Sequence, residues 1–407
     1  RLTSSSGVKM TRILAISCSF GVAVIAVLIG GLLSVLSRRG LLTPGTPVPE
    51  LGISSQDPSH NVKPGVAEVV VSLDTPSGNL AVSSKGRVIF NFHPEHVEPS
   101  GAKFAEVLDG SWIPRPDLDA HIISVLSLRI SAFDRLYLLD FANHGLSGTP
   151  KMVVFQLGSA KSEDKLVYSY QFPAAVAGKG SMLNDFNLSP DENALFIADT
   201  SVVAGVPALL GCSVAAMQQG SSKACQRRLQ GHQSVVPTMV DINVNGDSPM
   251  VLGGLVHVRI GVDSIALDRA GKWLYYAPVS SSALWRVPAD VLLQEGLSSA
   301  DVESNVEAFS SKPITDGISV DGAGNIFLTA FEHSAVAKVD AQSRNISVVL
   351  RSRQYLQWPD GLSFGPDNWL YVTSSALHHT FSGRSVSRFA PFYILRMKMD
   401  VGATAGQ

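Results

Sequence analysis

Cysteine is scarce, with three in 407 residues, so neither a dense disulfide framework nor a cysteine-rich zinc site can organise the chain. Charge is scarce too, at 16% with a net of −2. That excludes the basic surface that nucleic acid demands and the one-signed blocks of a solvated tail. No His-Glu-x-x-His and no phosphate-cradling Gly loop occur, which removes common signatures of zinc hydrolysis and nucleotide binding. What the chain does have is apolar sequence, 45% of it, mostly in short runs.

Those short runs repeat. Asp316-Gly-Ile-Ser-Val-Asp-Gly-Ala-Gly-Asn-Ile-Phe-Leu328 is an acidic residue, an alternating apolar run, a Gly-rich turn and a second apolar run with an aromatic. This pattern is a β-hairpin signal. The phrase recurs from Asp360, Asp263 and Asn184, and more weakly at Ser131 to Leu138 and Asn79 to Phe90. The aromatics of the second strands are Phe90, Tyr137, Phe196, Tyr275, Phe327 and Tyr371, between 44 and 79 residues apart. Six multi-strand repeats at such spacing predict an all-β chain, a six-bladed β-propeller over residues 67–400.

One apolar run is long. Ile13 to Leu36 carries no charge over 24 residues, with Arg12 before it and Arg38 and Arg39 after it. At about 1.5 Å per residue it can cross a hydrocarbon core of about 30 Å. It exceeds a signal-peptide core, and Ser37-Arg38-Arg39 is a poor cleavage site, so residues 13–36 are expected as a transmembrane signal anchor after a short tail, 1–12. Residues 37–66, with Pro44, Pro47, Pro49, Pro58 and Pro64, read as a stalk. The expected location is single-pass, with the propeller extracellular or lumenal, or secreted if the segment is cleaved. Flanking positive charges are nearly balanced, so orientation stays open. Cys212 and Cys225 lie thirteen apart in the longest insertion. They form one disulfide, suited to an oxidising compartment, or are two unrelated thiols. Asn345-Ile-Ser and Asn187-Leu-Ser are glycosylation patterns, the second followed by Pro190.

Between the repeat cores, Pro94 to Pro116 reads as mostly loop, Met250 to Ile260 as further strand and Pro288 to Leu297 as one short helix. A propeller must close its ring. Either Val69 to Leu73 or Tyr393 to Met399 is expected to share a blade with the opposite terminus.

Trp273-Leu-Tyr-Tyr-Ala-Pro-Val-Ser-Ser-Ser-Ala-Leu-Trp-Arg-Val-Pro288 and Leu356-Gln-Trp-Pro-Asp-Gly-Leu-Ser-Phe-Gly-Pro-Asp-Asn-Trp-Leu-Tyr-Val-Thr-Ser-Ser375 resemble signatures of the major royal jelly protein / yellow family. Asn184-Asp-Phe, Ile197-Ala-Asp-Thr200 and Arg228-Leu-Gln-Gly-His232 match as well. The resemblance implies a six-bladed propeller, usually secreted, that binds a small ligand. Some members are described as dopachrome-converting, and no shared catalytic set is implied. A wider similarity is to gluconolactonase-type lactonases and phosphotriesterases, which hold a divalent cation in the channel. By that similarity Asn184, Asp263, Asp316 and Asp360 are candidate ligand-binding residues and ligands of Ca²⁺ or another divalent cation. The matching first-blade Glu is missing, and Asn79 stands nearest. The other reading of each Asp is a turn cap. The competing functions are thus a ligand binder, a metal-dependent hydrolase and a membrane-displayed protein-interaction platform, with no nucleic-acid partner and an open oligomeric state.

Overall fold

The computed structural model describes residues 30–48, 66–96, 98–246, 248–251, 254–403 and 406. Most of the expected membrane span (13–29) and much of the stalk (49–65) lie outside the described residues. Among the described residues, 30–38 form a helix, and no helix is long and apolar enough to cross a membrane.

The rest is a propeller of six four-stranded antiparallel sheets. β1 (Ala67–Leu73) belongs to the last blade. Blade 1 is β2 (Ser77–Val82), β3 (Val88–Phe92), β4 (Phe104–Leu108) and β5 (Ser111–Pro114). Blade 2 is β6 (Val125–Ile130), β7 (Arg135–Asp140), β8 (Lys151–Gln156) and β9 (Lys165–Gln171). Blade 3 is β10 (Leu183–Leu188), β11 (Ala194–Asp199), β12 (Ala208–Ser213) and β13 (Cys225–Arg228). A small hairpin, β14 (Met250–Val251) and β15 (Val256–His257), stands outside the blades. Blade 4 is β16 (Val262–Leu267), β17 (Trp273–Pro278), β18 (Ala283–Pro288) and β19 (Glu307–Ser311). Blade 5 is β20 (Ile318–Val320), β21 (Ile326–Ala330), β22 (Ala335–Val339) and β23 (Ile346–Arg351). Blade 6 is β24 (Pro359–Phe364), β25 (Trp369–Ser374), β26 (Phe392–Lys398) and, outermost, β1. Strands from both ends of the domain thus complete one blade, β1 pairing antiparallel with β26, which leaves the ring without an open blade.

A separate apolar cluster fills each gap between neighbouring blades. Tyr137, Phe196, Tyr275, Phe327 and Tyr371 each enter the cluster shared with the next blade. Phe90 faces the previous one. The repeated aromatic is therefore the wedge between sheets, and burying each such ring is worth about 1.5–3 kcal/mol.

Two local readings need amending. Pro94 to Pro116 is loop for most of its length but also holds β4 and β5; Asp109 and Gly110, both at positive φ, make the tight turn between them. Met250 to Ile260 supplies only the two-residue strands of the small hairpin, and these join no blade. Pro288 to Leu297 does contain a helix, Ala289–Leu293. A second, Ser299–Glu303, follows with a Ser298/Asp301 capping box.

Cys212 and Cys225 are directly paired across β12 and β13 and form a disulfide. Asn345 is exposed at the turn before β23, whereas Asn187 is buried within β10, where no glycan fits.

Candidate functional site

The innermost strands β2, β6, β10, β16, β20 and β24 contact one another in a closed ring around the axis. Five of them shift register in their first residues. An extra residue there re-aims side chains, and these side chains line the channel.

The Asp-Gly pairs have a steric cause. A Cβ on Gly317 would sit 2.0 Å from the Asp360 carbonyl oxygen, and one on Gly361 2.6 Å from Asn79 Oδ1. Glycine lets the next blade approach and so sets each neighbouring Asp at the axis. Thr329 Oγ1 accepts from Gly317 N at 2.6 Å, and Thr373 Oγ1 from Gly361 N at 2.8 Å.

The channel opens into a cavity of about 260 Å³. Its walls are largely apolar, including Leu126, Phe141, Met182, Val256, Trp358 and Phe381, and its floor carries Asn184, Asp185, Asp263, Asp316 and Asp360. All four sequence-derived candidates, Asn184, Asp263, Asp316 and Asp360, are thus brought together.

The floor closes on Arg129. Its guanidinium donates to both Asp185 oxygens at 3.0 and 2.8 Å, to Phe186 O at 3.1 Å and to Leu362 O at 3.0 Å. It therefore ties three blades together. Because Arg129 also lines a cavity of about 40 Å³ on its far side, it plugs the channel and neutralises Asp185.

Among the described residues the other three carboxyls form no such ion pair, although Lys312 attracts Asp316 from beside the floor. Asp263 accepts hydrogen bonds from Asn184 Nδ2 and, at 3.0 Å, from Thr200 Oγ1. Asp316 accepts from the Trp358 indole at 2.6 Å. Asp263 and Asp316 lie close enough to perturb one another. Burial, then repulsion from Asp316, holds the Asp263 carboxyl well above the ordinary range. Burial and Asp316 do the same to Asp360, and burial raises Asp316 against the opposing effects of Asp263 and Trp358. These Asp side chains are not turn caps. Asp321 is: its carboxylate accepts from Ala323 N and Asn325 N, each at 2.9 Å.

Beside the floor, Lys312 is fully buried and donates to Val279 O and Pro313 O at 3.3 and 3.2 Å. Burial pushes its ammonium down to about 7. Burial pushes Glu332 up to about 7 while its carboxylate accepts from Asn243 N at 2.5 Å.

Among the histidines, His93, His144 and His257 line the cavity. Burial holds His93 well below its ordinary value, with His96 adding to the effect, and also lowers His96 and His144. His257 Nδ1 lies 3.3 Å from Asp241 Oδ1. Among the described residues, no group of three or more His, Cys, Asp or Glu is disposed to hold a metal ion. Gly361-Leu-Ser363-Phe-Gly365 has the spelling of a nucleophile elbow, but Ser363 is buried within β24, with no strand-to-helix turn to expose it.

Sequence reasoning missed Arg129, Asp185, Trp358 and Lys312. A signal existed for the first: an Arg in an otherwise apolar inner strand is buried and needs a partner. Trp358 stood inside a quoted signature, but no pattern paired it with Asp316; it meets that carboxyl from a positive φ before β24.

No curated protein matches the chain. A luciferin-regenerating enzyme is similar in structure at 14% identity, with a TM-score of 0.52, covering 84% of this chain and 98% of that one. A calcium-binding regucalcin from Agrobacterium tumefaciens is similar at 16% identity, with a TM-score of 0.51, covering 82% and 94%. At such identity both likenesses concern the fold. Residues 123–405, well over half of the sequence and including the whole acidic floor, match the major royal jelly protein family, and the chain belongs to that family.

Proposed function

We propose that this chain is a membrane-anchored propeller that binds a small organic molecule at its channel mouth, the propeller being extracellular or lumenal. The observation that carries the ligand reading is the cavity itself, an apolar wall above three buried carboxyls of which none forms an ion pair among the described residues, Lys312 acting on Asp316 only from beside the floor. Such a site selects an apolar body with a cationic or hydrogen-bond-donating end. The charge-free run 13–36 supports the anchor. The Cys212–Cys225 disulfide and the exposed Asn345 acceptor support the compartment.

The test is thermal unfolding of the detergent-solubilised full chain with phenethylamine and, as the matched anion, phenylacetate. Phenethylamine should raise the midpoint saturably, with about 2.7 kcal/mol of stabilisation at one hundred times its dissociation constant. Phenylacetate should not, and Asp263→Asn should abolish the response. Equal or absent responses to the two probes reject the ligand reading.

A second reading has a specific basis. Asp263 and Asp316 repel one another when ionised, which a proton or a cation between them would relieve, and the regucalcin of similar fold is described as calcium-binding. Asp263, Asp316, Asp360 and Asn184 offer the hard oxygens that Ca²⁺ takes. Here, however, Asn184 bonds to Asp263 instead of converging with it on a shared point. Calcium chloride against a chelator decides between proton and cation. If Ca²⁺ raises the midpoint, lactone and phosphoester hydrolysis become the activities to assay.

A further inference from the structure

We infer that the channel-mouth face of the propeller is apposed to a lipid bilayer, so that the cavity opens at the membrane surface. The inference rests on the membrane anchoring proposed above and adds an orientation to it.

The observations begin where the charge-free run ends. Three residues after Leu36, Arg39 donates to the carbonyl oxygens of Val202, Val203 and Ala204, at 3.3, 3.4 and 2.8 Å. The chain then crosses the mouth. His257 N donates to Leu41 O at 2.9 Å, Arg259 donates to the carbonyls of Gly40 and Thr43, and Gly45 N donates to Asp241 Oδ2 at 2.7 Å. Thr46 forms a parallel bridge with Val240. Leu41 lines the cavity. Residues 39–46 therefore do not hold the propeller away from the preceding run; they fasten it there.

Distance then decides the orientation. Three residues span at most about 11 Å even when fully extended. With the extended Arg39 side chain and its hydrogen bond adding roughly 10 Å, the end of a membrane-crossing run must consequently lie within about 20 Å of Val202 to Ala204. A mouth facing away from the bilayer would need a much longer link.

The surface at that place has the matching chemistry. Val203 is 51% exposed, Met239 46% and Leu255 69%, all on the connections around the mouth. Val202, which lines the cavity, is 44% exposed. Arg38, also exposed, can place its guanidinium at lipid phosphates while its stem lies along apolar surface. An apolar rim beside basic residues suits an interfacial contact. Lys85 is exposed in the β2–β3 turn, at the opposite end of the innermost strands.

The test uses the full chain with Cys18→Ser and one of three single changes, Val203→Cys, Leu255→Cys or Lys85→Cys. Each is labelled with a polarity-sensitive fluorophore and placed in phosphatidylcholine vesicles carrying doxyl lipid. Vesicle flotation is read first. Protein that does not float removes the anchor and the inference with it. If protein floats, quenching at positions 203 and 255 should exceed that at 85 several-fold. Floating protein with equal quenching at all three positions retains the anchor and overturns the orientation. Protection of 203 and 255 that persists in detergent and disappears on dilution would mean that a second copy covers the rim, and would also overturn it.

Discussion

Two of the buried charge clusters in this propeller are built oppositely. Between blades 1 and 2, Arg115 contacts Glu106, Asp117 and Asp164 at 2.7, 2.6 and 2.8 Å, and Arg87 contacts Glu106 and Asp164 at 2.6 and 2.7 Å. Two guanidiniums meet three carboxylates. On the channel floor, Arg129 pairs with Asp185, and among the described residues no cation pairs directly with Asp263, Asp316 or Asp360; Lys312 acts on Asp316 only from beside the floor. The first cluster is satisfied and can do no more than hold blades together. The second has more carboxyls than cations paired with them, the imbalance that the proposed ligand would answer.

The comparison breaks most sharply at Arg115. Its side chain is fully buried, so Arg115→Met leaves Glu106 and Asp164 short of a partner and should cost about 3–5 kcal/mol, measured by urea unfolding. Binding of phenethylamine should persist in whatever protein is folded. A loss below about 1 kcal/mol would mean that the cluster holds nothing.

Next in size is the response to pH with chelator present. Glu332 is raised from 4.5 to about 7. The folded state therefore binds more protons than the unfolded one in that window, and stability falls as pH rises through it. The raised acids Asp263, Asp316 and Asp360 push the same way. Lys312 is lowered from 10.5 to about 7, so the unfolded state binds more protons above 7 and stability recovers towards alkaline pH. The contributions of Glu332 and Lys312 together have a minimum near pH 7, each bounded by about 3–5 kcal/mol, while the lowered histidines His93, His96 and His144 oppose the acid limb below their ordinary value. Glu332→Gln should flatten the acid limb and Lys312→Met the alkaline one. A maximum near neutrality would contradict these assignments.

Asp263→Asn sharpens the contrast from the other side. It removes one of the unneutralised carboxyls while keeping an oxygen for Thr200, and should raise stability by about 1 kcal/mol at pH 7 while abolishing probe binding. Removal of a charge would then destabilise one cluster and stabilise the other.

How much of this was legible depended on periodicity. The six hairpin phrases, the wedge aromatics and the acidic positions at the axis all repeat, so the sequence carried the ring and the acidic half of its floor. What does not repeat was hidden. Arg129 matters because two other blades bring Phe186 O and Leu362 O to it, and no local pattern encodes that meeting. Lys312 is written like an ordinary loop lysine before a proline; only tertiary packing buries it. The β4–β5 hairpin was lost for a different reason, since surrounding prolines outweighed the Asp109-Gly110 turn.

The smallest expected effect separates the two kinds of Asp within one hairpin. Asp316 and Asp321 stand five residues apart, and both are buried. Asp321 accepts from its own turn, including Asn325 Nδ2 at 2.8 Å. In Asp321→Asn one oxygen can still accept from the backbone amides, so the loss should stay within about 1 kcal/mol, with probe binding unchanged. Asp316 serves no turn; it meets Trp358 and Asp263 across blade boundaries. Asp316→Asn keeps an acceptor for the indole and relieves repulsion on Asp263, so its stability should also change by no more than about 1 kcal/mol. The difference should lie in ligand response: the shift given by phenethylamine, or by Ca²⁺ if the cation binds, should fall at least several-fold in Asp316→Asn and remain in Asp321→Asn. Equal responses in the two variants would make Asp316 as structural as its neighbour and would remove it from the site.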